Sequence, residues 1–395
     1  MKLAVIGAGM MGSAAAYDMA RAPGVAEVTL IDSDGKRASD VARHMNRLSY
    51  TKKIHPHKAD AAQPKSLIRI LGRHDAALSC VPYFYNFGLA KAAIEAGCHF
   101  ADCGGNNTIV RQELALGKKA EKEEVAIAPD CGLSPGMASI LAGELMSRIG
   151  GRADALKIYV GGLPLKPQPP FLYQLVFSPE GLINEYVEPC RILRGGKIVQ
   201  VEPLTELETF HLAGFPPLDA FHTSGGTSTL PDSYKGKVGE CFEKTLRYQG
   251  HFPLIRGLFD LGLFSSSEVK LGKAKMVPRQ LISRQFVERM SGNNADLVIL
   301  KVEAHKMGRV AAFTIVDQYD KSTRMTAMMR TTAWPASIVV QMLAGGMISK
   351  RGAIHQETDV PFEPFWEAMA ARGVSMKFSE GAANQNDFAS ESAGA

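Results

Sequence analysis

The stretch "LAVIGAGMMGS" at residues 3–13 joins an apolar run to a glycine-rich turn and then to an alanine-rich segment. Gly7, Gly9 and Gly12 have the G-x-G-x-x-G spacing, and the context is that of a strand, a turn and a helix. The first glycine permits the tight turn, the second lets the backbone approach a pyrophosphate, and the third lets the helix pack on the strand. The stretch therefore predicts a dinucleotide-binding βαβ unit, and the alternative is a glycine turn with a purely structural role.

The predicted helix begins at Met10 and Met11, whose backbone N–H groups would face the phosphates of the nucleotide. Asp32 ends the next apolar run, "VTLID", about twenty residues after the turn. A carboxylate there accepts hydrogen bonds from the ribose hydroxyls and repels a 2′-phosphate. We therefore expect NAD in preference to NADP, although the cations Lys36 and Arg37 nearby are suited to a phosphate.

Short apolar runs alternate with helical patterns throughout residues 1–135. The runs lie at 3–6, 28–32, 53–59, 75–82, 99–103 and 125–130. Such alternation predicts a doubly wound parallel sheet covered on both faces, the Rossmann arrangement. The third run contains Pro56, a residue that the interior of a sheet excludes.

Strand-like patterns dominate residues 136–334, where we expect an α+β substrate-binding and dimerisation domain with a mostly antiparallel sheet. Its last three runs, at 295–307, 309–320 and 324–333, follow one another through short polar turns and predict a meander. Beyond it we expect a helical segment at 335–378 that returns toward the first domain, and a disordered tail at 379–395.

Composition excludes several classes of protein. The 395 residues are 46% hydrophobic and 22% charged, as in soluble globular proteins. Lys and Arg number 45 against 40 acidic residues, without a basic block, so we expect no nucleic-acid partner. The sequence contains no run of about 18 apolar residues, so we expect no membrane-spanning helix. The six cysteines form no C-x-x-C pair, which favours a reducing cytoplasm and indicates no metal site.

Side chains at the ends of the predicted parallel strands should line the ligand crevice. Cys80, Val81 and Pro82 end the fourth run, and we expect them to flank the nicotinamide ribose. Asp102 ends the fifth run at the same edge. It is a candidate cofactor contact or acid/base group, and alternatively forms a local turn.

The stretch "PDCGLSPGM" at 129–137 places Asp130 and Cys131 after the sixth run. Asp130 is a candidate acid/base residue. Cys131 is either a catalytic thiolate or a small buried residue, because no histidine neighbours it in the sequence.

Two polar clusters lie in the second region. "AFHTSGGTSTLP" at 220–231 holds His222 among hydroxyl side chains, and "TLRYQGHF" at 245–252 holds Arg247 and His251. Arg247 offers a fork that matches a carboxylate, and His251 ordinarily titrates near neutrality. The alternatives are an ordinary Ser/Thr/Gly loop, a surface arginine and a histidine that caps the following helix.

Six motifs occur in the order typical of the saccharopine dehydrogenase-like family. They are "VIGAGMMGSAAAYDMA", "DCGLSPGM", "YQLVFSPEGLINEYVEPC", "TSGGTSTLP", "KTLRYQGH" and "MRTTAWPASIVVQMLAGGMI". The chain resembles the lysine 6-dehydrogenase type within this family most closely, to about residue 378. It departs from the usual motifs at Phe177, where the family has Trp, and at Gln249, where it has Pro.

The resemblance implies NAD-dependent oxidative deamination of the ε-amino group of L-lysine to allysine, which cyclises to piperideine carboxylate, with release of ammonia. It implies acid/base residues among Asp130, His222 and His251. The substrate-binding positions that it implies are Tyr173, Thr223, Thr227, Ser228 and Arg247.

Two alternatives remain open at this point. A saccharopine-type or carboxynorspermidine-type imine reductase would need a second carboxylate clamp, for which Arg191, Arg194 and Arg256 are candidates. An NAD-binding regulatory protein without catalysis is the other. By analogy of fold we expect a homodimer or a dimer of dimers.

Overall fold

The computed structural model describes residues 1–292 and 295–382. Its strands are β1 (Lys2–Ile6), β2 (Glu27–Asp32), β3 (Ile54–Lys58), β4 (Ala76–Ser79), β5 (His99–Asp102), β6 (Ala126–Ala128), β7 (Ala153–Pro164), β8 (Cys190–Arg194), β9 (Lys197–Val201), β10 (Glu208–Phe210), β11 (Leu218–His222), β12 (Val238–Tyr248), β13 (Val269–Leu271), β14 (Ala274–Met276), β15 (Asp296–Lys306), β16 (Arg309–Gln318), β17 (Gly352–Ala353) and β18 (Met376–Ala382). Its α-helices are α1 (Met10–Arg21), α2 (Gly35–Ser49), α3 (Pro64–Leu71), α4 (Asn86–Ala96), α5 (Asn107–Leu114), α6 (Gly117–Lys122), α7 (Ala138–Arg148), α8 (Pro179–Val187), α9 (Leu230–Tyr234), α10 (His251–Asp260), α11 (Pro278–Met290), α12 (Ala327–Ala344), α13 (Gln356–Asp359) and α14 (Phe362–Ala371).

The chain divides into two compact units. Unit 1 consists of Met1–Gly143 and Asp320–Val374, and unit 2 of Glu144–Tyr319 and the chain from Ser375. The predicted boundaries differ from these limits. Residues 136–143 and 320–334 belong to unit 1, and residues 375–378 belong to unit 2.

The run at 324–333 was expected to be a strand, and this prediction is wrong. It forms the start of α12, which Thr326 caps by accepting a hydrogen bond from Met329 N, and Pro335 lies inside this helix. A proline in a helix interior removes one backbone hydrogen bond and usually marks a helix end, so the sequence pattern predicted a break at Pro335. Ser337 of α12 donates to Asp18 of α1 at 2.7 Å, which ties α12 into unit 1.

Unit 1 contains an all-parallel sheet in the order β17-β6-β5-β4-β1-β2-β3. Residues Leu3–Ile6 of β1 are almost fully buried, because helices cover both faces of such a sheet. The predicted doubly wound fold is confirmed. Pro56 lies in β3, at the edge, where no second neighbour requires its missing N–H. The order reverses between β1 and β4, whose carboxyl ends therefore flank the ligand crevice.

Unit 2 contains a mixed sheet in the order β10-β11-β12-β7-β15-β16-β18, in which β8 also pairs with β12 and β9 pairs with β8. Along this order β12 and β7 are parallel, and the other neighbours are antiparallel. β18 includes residues 379–382, which pair with Ala312 to Arg309 of β16, so the prediction of a disordered tail is wrong for these four residues. Residues 383–395 of that prediction lie outside the described chain.

The register of β12 decides which polar side chains share a face. Glu243, Thr245 and Arg247 alternate with Lys244 and Leu246, so the two sets point to opposite faces of the sheet. In β11, Asp219 pairs with Arg247 and His222 pairs with Lys244. His222 therefore lies on the face opposite to Arg247.

None of the helices in the described ranges has the length and apolar character required to cross a membrane.

Candidate active site

The glycine turn between β1 and α1 is shaped by close packing at two of its three glycines. Gly7 has φ of 104°, and an added Cβ would lie 2.8 Å from the carbonyl oxygen of Cys80 and 3.0 Å from Val81 Cγ1. At Gly12 an added Cβ would lie only 1.7 Å from the carbonyl oxygen of Gly7. Both positions exclude any other residue for reasons internal to the fold.

Gly9 is different, because an added Cβ would meet no described atom within 4 Å. It precedes α1, and no side chain caps this helix at Gly9. The backbone N–H groups at Met10 and Met11 thus begin a helix next to open space. Since a helix start with uncapped amides favours anions, this cradle fits the pyrophosphate of a dinucleotide.

Asp32 ends β2 beside this cradle. Its Oδ2 accepts from Ala8 N at 2.8 Å and its Oδ1 from Asp34 N at 2.9 Å. Asp34 caps α2 by accepting from the backbone N–H groups of Lys36 and Arg37, and the bond from Arg37 lowers the pKa of Asp34. The carboxyl end of β2 is thus followed by two acidic side chains beside the glycine turn.

The residues after β4 pack against the turn, as their backbone positions show. Cys80 N donates to Ile6 O at 2.8 Å, and Val81 contacts the Gly7 position. Pro82 precedes a short 3₁₀ turn at Tyr83–Tyr85. The structure thus brings these residues to the same edge of unit 1 as the glycine turn.

Asp102 is fully buried at the end of β5, and it links two strand ends. Its Oδ1 accepts from Gly104 N at 2.6 Å and Asp130 N at 3.3 Å, and its carbonyl oxygen accepts from Cys131 N at 2.7 Å. Burial raises the pKa of Asp102 to about 6. These bonds agree with the turn-forming alternative, since Asp102 fixes the backbone that carries Asp130.

Asp130 and Cys131 form a buried turn after β6. Asp130 is 4% exposed with φ of 60°, and an added Cβ on Gly104 would lie 1.9 Å from Asp130 Oδ1. Cys131 Sγ donates to Ala128 O at 3.1 Å and accepts from Gln356 Nε2 at 3.0 Å. Burial raises the pKa of this thiol well above its usual range. Cys131 therefore fits the description of a small buried residue better than that of a thiolate catalyst.

A second group of polar side chains lies in unit 2, and we call it the Arg247 cluster. Its members are Tyr173, Glu185, Tyr186, Thr223, Glu243, Thr245, Arg247 and His251.

Arg247 is 3% exposed, and its guanidinium carbon lies 4.6 Å from the centre of the Tyr173 ring. Its Nη1 donates to Leu246 O at 2.9 Å, and the guanidinium also hydrogen-bonds to Tyr186. Arg247 Nε and Tyr173 Oη are buried, and neither has a hydrogen-bond partner in the described part of the chain. A buried polar group without a partner is costly, so two donors here await an acceptor.

Two acidic residues accompany this cation. Burial raises the pKa of Glu185 to about 7, and burial together with the nearby Glu185 raises that of Glu243 to about 8. The hydroxyls of Thr223 and Thr245 donate to Glu243 at 3.3 and 3.2 Å. An added Cβ on Gly226 would lie 2.4 Å from Glu243 Cγ, so the glycine loop packs directly on this side chain.

Four members of the cluster were not predicted from the sequence: Glu185, Tyr186, Glu243 and Thr245. The pattern "E-K-T-L-R" at 243–247 contains a signal for two of them, because Glu243, Thr245 and Arg247 recur at the strand period of two. Glu185 lies in the motif "YQLVFSPEGLINEYVEPC", and nothing in its local pattern distinguishes it from a surface acid.

His251 is fully buried and is the first residue of α10. Its Nδ1 lies 2.8 Å from Phe171 O, so it donates there, and its Nε2 accepts from Tyr186 Oη at 3.2 Å. Burial and the charge of Arg247 lower the pKa of His251 to about 3. This imidazole holds Tyr186 against Arg247. The N-cap of α10 is Gly250, so the alternative of a helix-capping histidine is wrong, and the catalytic role of His251 stays a prediction that its low pKa disfavours.

His222 does not join this cluster. Its Nε2 lies 3.1 Å from Glu206 Oε2 and its Nδ1 3.2 Å from Glu243 O, on the opposite face of the sheet. Of the neighbouring loop, Thr227 donates to Arg191 O at 2.6 Å and Ser228 N donates to Gly225 O at 3.0 Å. These bonds anchor the loop, and Thr223 is the member whose hydroxyl contacts Glu243.

The three arginines considered for a second carboxylate clamp are engaged in ion pairs. Arg191 binds Asp232, Arg194 binds Glu206 at 2.7 Å, and Arg256 binds Asp260 at 2.9 Å. Across residues 1–292 and 295–382, no group of His, Cys, Asp and Glu side chains is arranged to hold a metal ion.

Comparisons with known proteins identify relatives of both units. Residues 3–128 match the saccharopine dehydrogenase NADP binding domain, and residues 132–374 match the saccharopine dehydrogenase C-terminal domain. Saccharopine dehydrogenase [NADP(+), L-glutamate-forming] of Schizosaccharomyces pombe is 25% identical over 263 residues, which is 62% of this chain and 56% of that protein. The mitochondrial alpha-aminoadipic semialdehyde synthase of Mus musculus is 24% identical over an alignment that covers 94% of this chain and 47% of that protein.

The chain thus spans about half the length of the curated relatives that it matches. Among solved structures, apo saccharopine dehydrogenase (L-Glu forming) from Saccharomyces cerevisiae has the same fold, with a TM-score of 0.77 and 17% identity over 96% of this chain and 100% of that one. The family expected from the sequence motifs is confirmed, and the chain belongs to the saccharopine dehydrogenase family.

Proposed function

We propose that this protein is a nicotinamide-nucleotide-dependent dehydrogenase that deaminates an α-amino acid carrying a single carboxylate, with the ε-amine of L-lysine as its preferred substrate. The observation that carries the proposal is the charge balance of the Arg247 cluster. One buried guanidinium with an unsatisfied Nε stands among two acids, Glu185 and Glu243.

The head group of an α-amino acid complements this balance. Its carboxylate accepts from Arg247 Nε and Tyr173 Oη, the two donors that lack partners in the described residues. Its ammonium is attracted to Glu185 and Glu243, whose ionised forms are disfavoured by burial in its absence. With one of the two glutamates ionised, this zwitterion balances the cluster, because the guanidinium faces the substrate carboxylate and the ammonium faces the ionised acid.

Saccharopine is the second candidate substrate, since relatives bear its name. It carries further carboxylates, which require further cations. Arg191, Arg194 and Arg256 of unit 2 are already paired with acids, and this favours lysine over saccharopine.

For the cofactor we propose NAD, because Asp32 and Asp34 both stand at the end of β2, although the matching family domain is named for NADP. A bound nicotinamide dinucleotide supplies the hydride acceptor. The chain's own residues hold the nucleotide at Gly9 and the start of α1, and Asp130 is the candidate proton acceptor for the reacting amine. Loss of protons from the ammonium and of a hydride from the carbon that bears it would leave an imine, which water hydrolyses to an aldehyde and ammonia.

The test is an assay of reduced-nucleotide formation with the full chain, each amino acid of a panel, and NAD or NADP. We expect NADH and equimolar ammonia from L-lysine, no reaction with saccharopine, and a higher kcat/KM with NAD than with NADP. Oxidation of saccharopine without oxidation of lysine would assign the reductase-type activity instead. Equal kcat/KM for the two nucleotides would refute the role of Asp32. If none of the amino acids supports formation of reduced nucleotide, the regulatory alternative is favoured. The homodimer and the cytoplasmic location stay predictions.

A further inference from the structure

Glu113 is a buried acid that the proposed mechanism does not use. It lies on α5, is 0% exposed, and neither of its carboxyl oxygens receives a hydrogen bond from a described donor. Asp102 Oδ2 is likewise buried without a donor. Yet the two carboxyl groups are neighbours that interact with each other. Two ionised carboxylates cannot bond to each other because neither carries a hydrogen, so one of them must hold a proton.

The surroundings decide which residue holds that proton. Asp102 Oδ1 accepts from Gly104 N and Asp130 N, and these two donors stabilise an anion on Asp102. Glu113 receives no such bond, and the charges that face it are those of Asp102 and Asp130, both acidic. Burial and the charge of Asp102 accordingly raise the pKa of Glu113 to about 11, against about 6 for Asp102.

We propose that Glu113 is a positioning residue whose protonated carboxyl group donates to Asp102 Oδ2 and thereby keeps Asp102 as the acceptor that fixes the Asp130–Cys131 turn. The turn depends on Asp102 at two places, because Asp130 N binds its side chain and Cys131 N binds its carbonyl oxygen. Asp130 has φ of 60°, a left-handed conformation that needs such support in a residue other than glycine.

The inference rests on the proposed dehydrogenase function only where it assigns the turn a part in catalysis, through Asp130. The shared proton itself is a property of the resting protein. It is present whether the substrate is lysine, saccharopine or neither, so it can be tested without turnover.

The experiment compares Glu113→Gln with Glu113→Leu in the full chain. Glutamine keeps a neutral donor of the same shape, so we expect kcat to stay within about twofold of the parent and the pH dependence of kcat to be unchanged. Leucine leaves Asp102 Oδ2 buried without a donor, and we expect kcat to fall about tenfold or more with little change in the affinity for NAD. Because the bond from Glu113 lowers the pKa of Asp102, its loss should move the acid limb of kcat to higher pH.

An infrared difference spectrum between the parent and Glu113→Gln, with isotope-labelled glutamate, provides the readout that is independent of activity. We expect the C=O stretch of a protonated carboxylic acid at neutral pH in the parent and its loss in the variant. Absence of the band overturns the shared proton even if Glu113→Leu fails to fold. A Glu113→Gln variant as inactive as Glu113→Leu, or a Glu113→Leu variant with an unchanged profile, overturns the positioning role. A band with no dehydrogenase activity leaves the pair intact and sinks the proposed function alone.

Discussion

The glycine turn of unit 1 and the Arg247 cluster of unit 2 are built on opposite principles. The turn consists of backbone atoms from Gly7 to Gly12, and its shape follows from where a Cβ cannot fit. The cluster consists of ionisable side chains from separate segments, with Tyr173 at one end of the sequence span and His251 at the other. The first is local and close-packed, and the second is assembled by tertiary structure and carries unsatisfied charge. A site of the first kind binds whatever presents a pyrophosphate, whereas one of the second kind selects a substrate.

The largest effect should come from the turn itself. Gly12→Ala places a Cβ 1.7 Å from Gly7 O, so we expect unit 1 to lose more than about 3 kcal/mol of stability or to fail to fold. Gly9→Ala is the matched control, since its Cβ meets no described protein atom. It should keep the melting temperature and weaken NAD binding. Thermal unfolding and NAD titration measure both, and equal melting temperatures for the two variants would contradict the packing argument.

The next largest effect tests the cluster. Arg247→Ala should raise the KM for lysine by about 10- to 100-fold, because a buried charge-assisted hydrogen bond contributes about 1.5–3 kcal/mol. Arg247→Lys keeps the charge without the fork and should recover part of the loss. NAD affinity should not change in either. Arg194→Ala, which removes an exposed partner of Glu206, is the control. An unaltered KM in Arg247→Ala would remove this residue from substrate recognition.

A smaller effect is expected from pH. Burial raises the pKa of Glu185 to about 7 and that of Glu243 to about 8, and one of these acids must be ionised to pair with the ammonium of the substrate. The KM for lysine should therefore fall as the pH rises through this window. Since the folded pKa of Glu243 is raised from 4.5, its contribution to stability is full below pH 4.5 and is lost as the pH approaches 8. The melting temperature of the free protein should fall over that range.

Glu243→Gln supplies the comparison for this titration. Above about pH 7, it should make the KM for lysine and the melting temperature less dependent on pH. It should also raise the KM at alkaline pH, where the Glu243 carboxylate of the parent is charged. A KM for lysine that does not vary between pH 6 and pH 9 in the parent would show that neither acid meets the substrate.

The smallest effect concerns His251. Because its pKa is lowered to about 3, it stays neutral across the working range and should contribute no limb to the pH profile of kcat. Glutamine can still donate to Phe171 O and accept from Tyr186, so His251→Gln should change kcat by less than about threefold. Disappearance of a limb between pH 5 and pH 8 in this variant would restore His251 as a proton relay.

The two sites also differ in how far the sequence predicted them. Gly7, Gly9 and Gly12 act through their immediate neighbours, so their spacing was sufficient to predict the turn. The sequence does not distinguish His222 from His251 as acid/base candidates. The pairing of β11 with β12 places His222 on the face opposite to Arg247, whereas the contact with Phe171 O holds His251 in the Arg247 cluster. Glu113 has no local signature, because its proton depends on Asp102, which reaches it only through the fold.

The division of the chain into units also has a consequence for synthesis on the ribosome. Ser337 of α12 bonds to Asp18 of α1 across 319 positions, and Asp320–Val374 completes unit 1 only after Glu144–Tyr319 has been made. The emerging polypeptide must therefore hold an unfinished nucleotide-binding unit while the intervening one is translated. Contacts of such sequence separation slow folding. A nascent chain stalled before residue 320 thus contains every residue of the Arg247 cluster, whereas it still lacks the segment Asp320–Val374 that completes unit 1.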